Sequence, residues 1–251
     1  IGTRGPAVTA DGGRTWAWLG TKSVSKATFT YTFPKQTDDV RFAFTIPYLE
    51  ADLRAFLQSF RNDPHQKIEP LCTTAGNRNV EALHFGRLDG NPDYRVLLTA
   101  RHHACETMAS FVLEGIIQSV LRDDDQKWLR DHVEFLAVPF VDKDGVEQGD
   151  QGKNRSPHDH NRDYIGTSIY PAVAALRNRV PQWSDGRLRI ALDLHCPHIR
   201  GDRNENIYFV GKKEEHIWRE SQQLAAILES LPPKGLPYNT KNNLPFGKEW
   251  N

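Results

Sequence analysis

The hydrophobic period changes within one short stretch, and that change limits the folds open to the chain. Residues 94–100, Tyr-Arg-Val-Leu-Leu-Thr-Ala, are an apolar run of the kind a buried strand needs, while residues 107–121 set Met108, Phe111, Val112, Ile116 and Val120 at helical spacing. Strand-like runs recur near 66–73, 80–85, 133–138, 188–194 and 207–210, and helix-like ones near 49–60, 171–179 and 213–231. Strands that alternate with helices bury both faces of their sheet, so an α/β fold is expected: a mixed, largely parallel sheet with helices on both faces. Ahead of residue 46 the pattern differs. Segments 15–19, 27–33 and 40–45 alternate aromatic and β-branched residues with polar ones between Gly, Lys and Asp turns, which predicts antiparallel strands. The expected division is 1–46, antiparallel β, and 47–251, the α/β domain.

His103 and Glu106 lie three residues apart where strand gives way to helix, and His195 ends the run 188–194. In an open α/β sheet, groups beyond the carboxyl ends of the strands face the ligand crevice. Two imidazoles and a carboxylate match the donor count of a catalytic zinc, which takes three protein ligands and keeps a position for water. Asp193, two residues before His195, is suited to accept the imidazole proton and orient the ring. His102 is a rival donor, but it adjoins His103 and is read as a neighbour. His-x-x-Glu alone arises often by chance, as a helix N-terminal acid beside ordinary polar histidines. The third donor and its aspartate lift the metal reading above that. His158 and His160, in a turn-rich loop, are read as surface polar residues near the rim of the pocket. Cys105 and Cys196 adjoin the donors and are expected to be small buried residues.

The donors sit in longer motifs. Ala100-Arg101-His102-His103-Ala104-Cys105-Glu106-Thr107 resembles the Ala-Arg-x-His-x-x-Glu-Thr segment of zinc carboxypeptidases of the funnelin type, most closely their cytosolic-carboxypeptidase-like branch. Val138-Pro139 with Asp144-Gly145-Val146 is similar to that branch's strand and Pro-Asp-Gly-Val turn. Arg155 followed by Asp159-His160-Asn161-Arg162 resembles its arginine and Asp-x-Asn-Arg, and Asp193-Leu194-His195 its Asp-x-His. The resemblance implies zinc on His103, Glu106 and His195, Arg155 at the oxyanion, and Asn161 with Arg162 on the substrate's terminal carboxylate. It also implies that residues 1–46 are the last strands of an N-terminal β-sandwich. These residue types suit those tasks. A guanidinium grips a carboxylate through paired hydrogen bonds, and a cation aimed at a developing oxyanion favours the transition state.

The same resemblance implies a general-base glutamate after a long apolar strand. Glu205, Glu214, Glu215, Glu220, Glu229 and Glu249 follow His195, and none follows such a strand, so the base is expected beyond Asn251. Domain 47–251 is accordingly expected to lack its last strand and helix. Ile1 is not an initiator methionine, and the chain is expected to be a piece of a longer one.

With 32 basic and 32 acidic residues the formal net charge is zero, which gives no footprint for nucleic acid or an anionic membrane. No apolar run is long enough to span a membrane, and no signal peptide is visible. Cys72, Cys105 and Cys196 are too few for a disulfide framework, so a reducing, cytoplasmic compartment is expected. The expected function is that of a zinc metallocarboxypeptidase acting on peptide or protein C-termini. Two alternatives stand beside it: a zinc amidase or deacylase on small acyl-amino acids or peptidoglycan stems, and a peptide-binding protein without a general base.

Overall fold

A computed structural model describes residues 2–35, 39–198, 201, 203–232 and 235–249. Its first elements are short strands: β1 (Ala7–Thr9), β2 (Ala17–Trp18), β3 (Val24–Ser25), β4 (Thr28–Phe29) and β5 (Arg41–Ala43). β1 lies between β2 and β5, antiparallel to both, and β3 and β4 form a separate hairpin. These strands are shorter than the period-two segments predict, because turns consume the residues between them. The Asp11 carboxylate, for instance, accepts from the backbone N–H groups of Arg14 at 2.9 Å and Thr15 at 3.0 Å, so the turn ahead of β2 takes in the first residue of the expected segment.

After helix α1 (Glu50–Gln58) come β6 (Gln66–Thr73), β7 (Asn79–Gly86), β8 (Tyr94–Ala100), β9 (Val133–Val138) and β10 (Leu188–Leu194). They form one sheet in the order β10-β8-β9-β7-β6, parallel where β8 meets β9 and β10 and antiparallel where β7 meets β9 and β6. Between them lie α2 (Met108–Arg122), α3 (Lys127–His132), α4 (Lys143–Gln148) and α5 (Pro171–Ser184). Because strand side chains alternate between faces, β7 and β9 feed two cores. On one face Leu83, Phe85, Leu98 and Phe135 pack with Leu53 and Leu57 of α1 and Leu113 and Ile117 of α2. On the other, Val80 and Val138 pack with Ala172, Val173 and Leu176 of α5. Every residue of β9 is buried, and its one charged member, Glu134, is paired with His84 and Arg95.

Residues 3–197 make one compact unit, and residues 198–251 belong to a second. The second unit contains α6 (Glu215–Ser230), whose Glu229 carboxylate accepts from the backbone N–H of Thr240 at 3.0 Å and its hydroxyl at 2.9 Å. The expected strand at 207–210 is not one: Val210 makes a single isolated bridge to Leu244. Among the described residues no helix is long and apolar enough to cross a membrane.

Candidate metal centre and active site

β8 ends at Ala100, and the backbone turns at once through Arg101, whose φ of 61° lies in the left-handed region that non-glycine residues rarely adopt. A buried guanidinium holds that turn. It donates to the carbonyl of Ala104 at 3.0 and 2.5 Å, to that of Tyr48 at 3.1 Å and to Ser110 Oγ at 2.9 Å. Burial pulls the Arg101 pKa down to about 10. The loop 149–164 closes against this turn. Cys105 N–H donates to the Gln151 carbonyl at 3.2 Å, and Gly152, at φ 85°, approaches so closely that a β-carbon would lie 2.4 Å from the Ala104 nitrogen. Both the dihedral and the space demand glycine there.

The three expected donors meet. His103 Nδ1 is 3.1 Å from Glu106 Oε1, and His195 Nδ1 is 2.6 Å from Glu106 Oε2. One ligand atom from each lies within 4.8 Å of the others. Each ring also turns Nε2 toward a carboxylate, His195 to Asp193 at 2.7 Å and His103 to Asp159 at 3.7 Å. A carboxylate behind the ring leaves Nδ1 as the metal-facing nitrogen and orients it. β10 delivers His195 because it runs parallel to β8, with Asp193 opposite Thr99, and Thr99 Oγ1 donates to Asp193 Oδ1 at 2.8 Å.

A second group, His102, Asp193 and His195, is equally tight. It suits a metal less well. The buried His102 uses both nitrogens, Nδ1 with Asp193 Oδ1 at 2.8 Å and Nε2 with the Tyr164 hydroxyl at 2.7 Å, so it braces the aspartate.

Carboxylates crowd the first group, with Glu106, Asp193 and Asp159 set against its two imidazoles. Burial works against the charged form of Glu106, yet hydrogen bonds from His103 and His195, with the Lys153 charge, hold its carboxyl well below the usual range. Burial likewise opposes a charged His195, but its hydrogen bonds to Asp193 and Glu106 prevail and push it up to about 10. Lys153 Nζ sits 2.7 Å from Glu106 Oε1. Two imidazoles and a buried carboxylate in such a field fit a divalent ion of borderline softness, zinc above all.

The other expected residues divide. Asn161 joins the cluster, its Nδ2 donating to Asp193 Oδ2 at 3.0 Å and lying 2.8 Å from His195 Nε2. Arg162 is exposed beside it, Nη1 3.4 Å from Asn161 Oδ1. Arg155 is engaged elsewhere: Nε and Nη2 lie 3.1 and 2.5 Å from Asp142 Oδ2, and Nη2 is 3.1 Å from Asp150. Asp142, 1% exposed, also accepts from Gly145 N–H at 3.0 Å as the N-cap of α4. His160 is not at the surface as expected; it is buried, and its ring stacks on Tyr170 at 3.6 Å between centroids. Cys105 and Cys196 adjoin the donors with thiols that burial and the Glu106 charge push up, the setting of unreactive cysteines. Lys153, Asp142 and Arg101 were the residues that sequence reasoning missed. An aspartate three residues before Gly145 and a Gly-Lys pair in the loop were the available signals.

Comparison with known proteins agrees with this geometry. The peptidase M14 profile, described as zinc carboxypeptidase, matches residues 53–195. The chain is 32% identical over 195 residues to cytosolic carboxypeptidase 3 of Bos taurus, covering 73% of this chain and 19% of that protein. With cytosolic carboxypeptidase 2 of Homo sapiens the identity is 29%, over 86% of this chain and 25% of the relative. The chain thus spans about a fifth to a quarter of the length of these relatives. Among solved structures, a metallo-carboxypeptidase from Burkholderia cenocepacia superposes with a TM-score of 0.78 at 21% identity, covering 98% of this chain and 65% of that one. One from Pseudomonas aeruginosa, in complex with (2-guanidinoethylmercapto)succinic acid, gives 0.70 at 19%, covering 95% and 64%. These structures share the fold. Since one profile matches most of the sheet and runs through all three converging donors, the chain belongs to the zinc carboxypeptidase family.

Proposed function

We propose that the protein is a zinc-dependent metallocarboxypeptidase that removes residues from the C-termini of peptides or proteins. The observation that carries this reading is the convergence of His103 Nδ1, the Glu106 carboxylate and His195 Nδ1 at the carboxyl ends of two adjacent parallel strands. Bound there, zinc would polarise a carbonyl and ready a water for attack. The chain's own groups do the rest. Asp193 and Asp159 hold the two rings, with Thr99 and His102 fixing Asp193 in turn. Asn161 and the exposed Arg162 receive the substrate's terminal carboxylate, a fork-shaped guanidinium beside an amide being well matched to two carboxylate oxygens. The short antiparallel strands β1–β5 come ahead of the catalytic sheet in the chain. The family and the names of the relatives support this reading and a cytosolic location.

The clamp is testable in the full-length protein. A peptide with a free C-terminal carboxylate is expected to be cut at least about 100-fold faster than its C-terminal amide, because the amide forfeits a charge-assisted pairing worth roughly 3 kcal/mol. Equal rates on both would remove the clamp and favour an amidase.

A further inference from the structure

A metal-facing imidazole is aimed by the groups behind it, and behind His195 stands a chain of hydrogen bonds that ends at a tyrosine. His195 Nε2 lies 2.7 Å from Asp193 Oδ2, an oxygen that also accepts from Asn161 Nδ2 at 3.0 Å. The other oxygen, Oδ1, takes the Thr99 hydroxyl and His102 Nδ1, both at 2.8 Å. His102 then meets the Tyr164 hydroxyl through Nε2, at 2.7 Å. Chemistry sets the direction of each bond. A carboxylate only accepts, so both histidines turn an N–H to Asp193, His195 from Nε2 and His102 from Nδ1. With its proton on Nδ1, His102 keeps a lone pair on Nε2, and the Tyr164 O–H donates to it.

None of these bonds uses His195 Nδ1, the nitrogen that faces Glu106 and the metal position, so filling the site displaces none of them. The chain also joins three segments: His102 follows β8, Asp193 belongs to β10 and Tyr164 closes the loop 149–164. His102 is 2% exposed and its ring lies between two others, with Tyr164 at 5.7 Å and His195 at 6.1 Å between centroids. A nitrogen buried there without a partner has no water to turn to, and the other tautomer would set the lone pairs of Nδ1 and Asp193 Oδ1 against each other. Tyr164 itself is 41% exposed, so its ring adds little to the core and its task lies at the hydroxyl.

We infer that Tyr164 is a positioning residue for the metal donor His195: its hydroxyl fixes the tautomer of His102, which in turn holds Asp193 behind the imidazole. This role presupposes the zinc reading of His103, Glu106 and His195, and no particular substrate.

The test is zinc affinity of the full-length protein by chelator competition, with the melting temperature of the metal-free form beside it. Tyr164→Phe keeps the ring and removes the donor, and affinity is expected to fall about 10-fold, the low end for a group behind a metal ligand. A tyrosine with a merely structural role would lower the metal-free melting temperature and leave zinc affinity alone. His102→Leu should lose at least as much affinity, and Tyr164→Phe added to it should cost less than about twofold further, having nothing left to act through. His102→Gln offers an amide N–H to Asp193 and a carbonyl to Tyr164, so its affinity should stay within about threefold of wild type. Tyr170→Phe is the control: that hydroxyl donates to the His158 carbonyl at 2.7 Å, tying the same stretch at another point, and its loss should leave zinc affinity unchanged. A Tyr164→Phe affinity within about threefold of wild type overturns the proposal. So does an equal loss in Tyr170→Phe, which would make loop order the cause, or a Tyr164→Phe loss that persists in full beside His102→Leu. A second zinc equivalent that His102→Gln abolishes would make His102 a ligand and overturn it too. Zinc binding without cleavage of free-acid peptides overturns the peptidase reading alone, and a wild type that binds no zinc overturns both.

Discussion

Two cations of one loop find different partners, Lys153 the Glu106 carboxylate and Arg155 those of Asp142 and Asp150. Replacing Arg155 by Met would strand the buried Asp142 carboxylate, and a loss of about 3 kcal/mol of stability is expected, at the low end for a broken buried pair because the arginine is partly exposed. Urea denaturation of Arg155→Met against Arg155→Lys measures it; a Met variant as stable as wild type would mean that Asp142 does not need the guanidinium. The convergence of His103, Glu106 and His195 was legible beforehand because candidate metal donors come from few residue types and these stood at the ends of patterned segments. Lys153 was not. A lysine in a polar loop reads as solvated surface, and its contact with Glu106 depends on the close approach of Gly152 to Ala104, across a tertiary boundary that no local pattern records.

Between α4 and α5 the chain has little regular structure, and side chains organise it. Asp163 accepts from the backbone N–H groups of Ile169 at 3.0 Å and Tyr170 at 2.9 Å, while His160 packs its ring on Tyr170 with Nδ1 unpartnered among the described residues. Burial lowers the His160 pKa from 6.5 to about 4. The folded chain therefore resists a proton that the unfolded chain accepts. The stability this ring contributes is complete above pH 6.5 and is lost as pH falls from 6.5 toward 4, by at most roughly 1.4 kcal/mol per pH unit. His160→Phe keeps the stack and removes the proton site, so its melting temperature should fall less over that window than wild type's; parallel curves would refute the linkage. The strands β6, β8, β9 and β10 matched their predicted bounds because each is a distinct run in the sequence. Short elements were harder. α4 hides behind Asp144-Gly145, which reads as a turn until Asp142 is seen to cap it. The run 207–210 has a strand's composition, yet a strand exists only with a neighbour, and Val210 has one bridge.

Across the molecule, the donor set links metal to stability. Zinc at about 1,000 times its dissociation constant should stabilise the full-length protein by roughly 4 kcal/mol over the chelator-treated form, and His195→Ala should abolish most of that difference. Identical melting with and without zinc would remove the metal centre. The pairing of β10 with β8 carries one more consequence. His103 and Glu106 are near neighbours along the chain and meet as soon as their turn forms, whereas His195 reaches Glu106 across 89 residues, once β10 has docked in register. Contacts of such separation close late, because loop entropy must first be overcome. A chain stalled with β10 undocked offers a passing ion two donors instead of three. Three-donor binding is therefore expected only of chains whose β10 has docked in register.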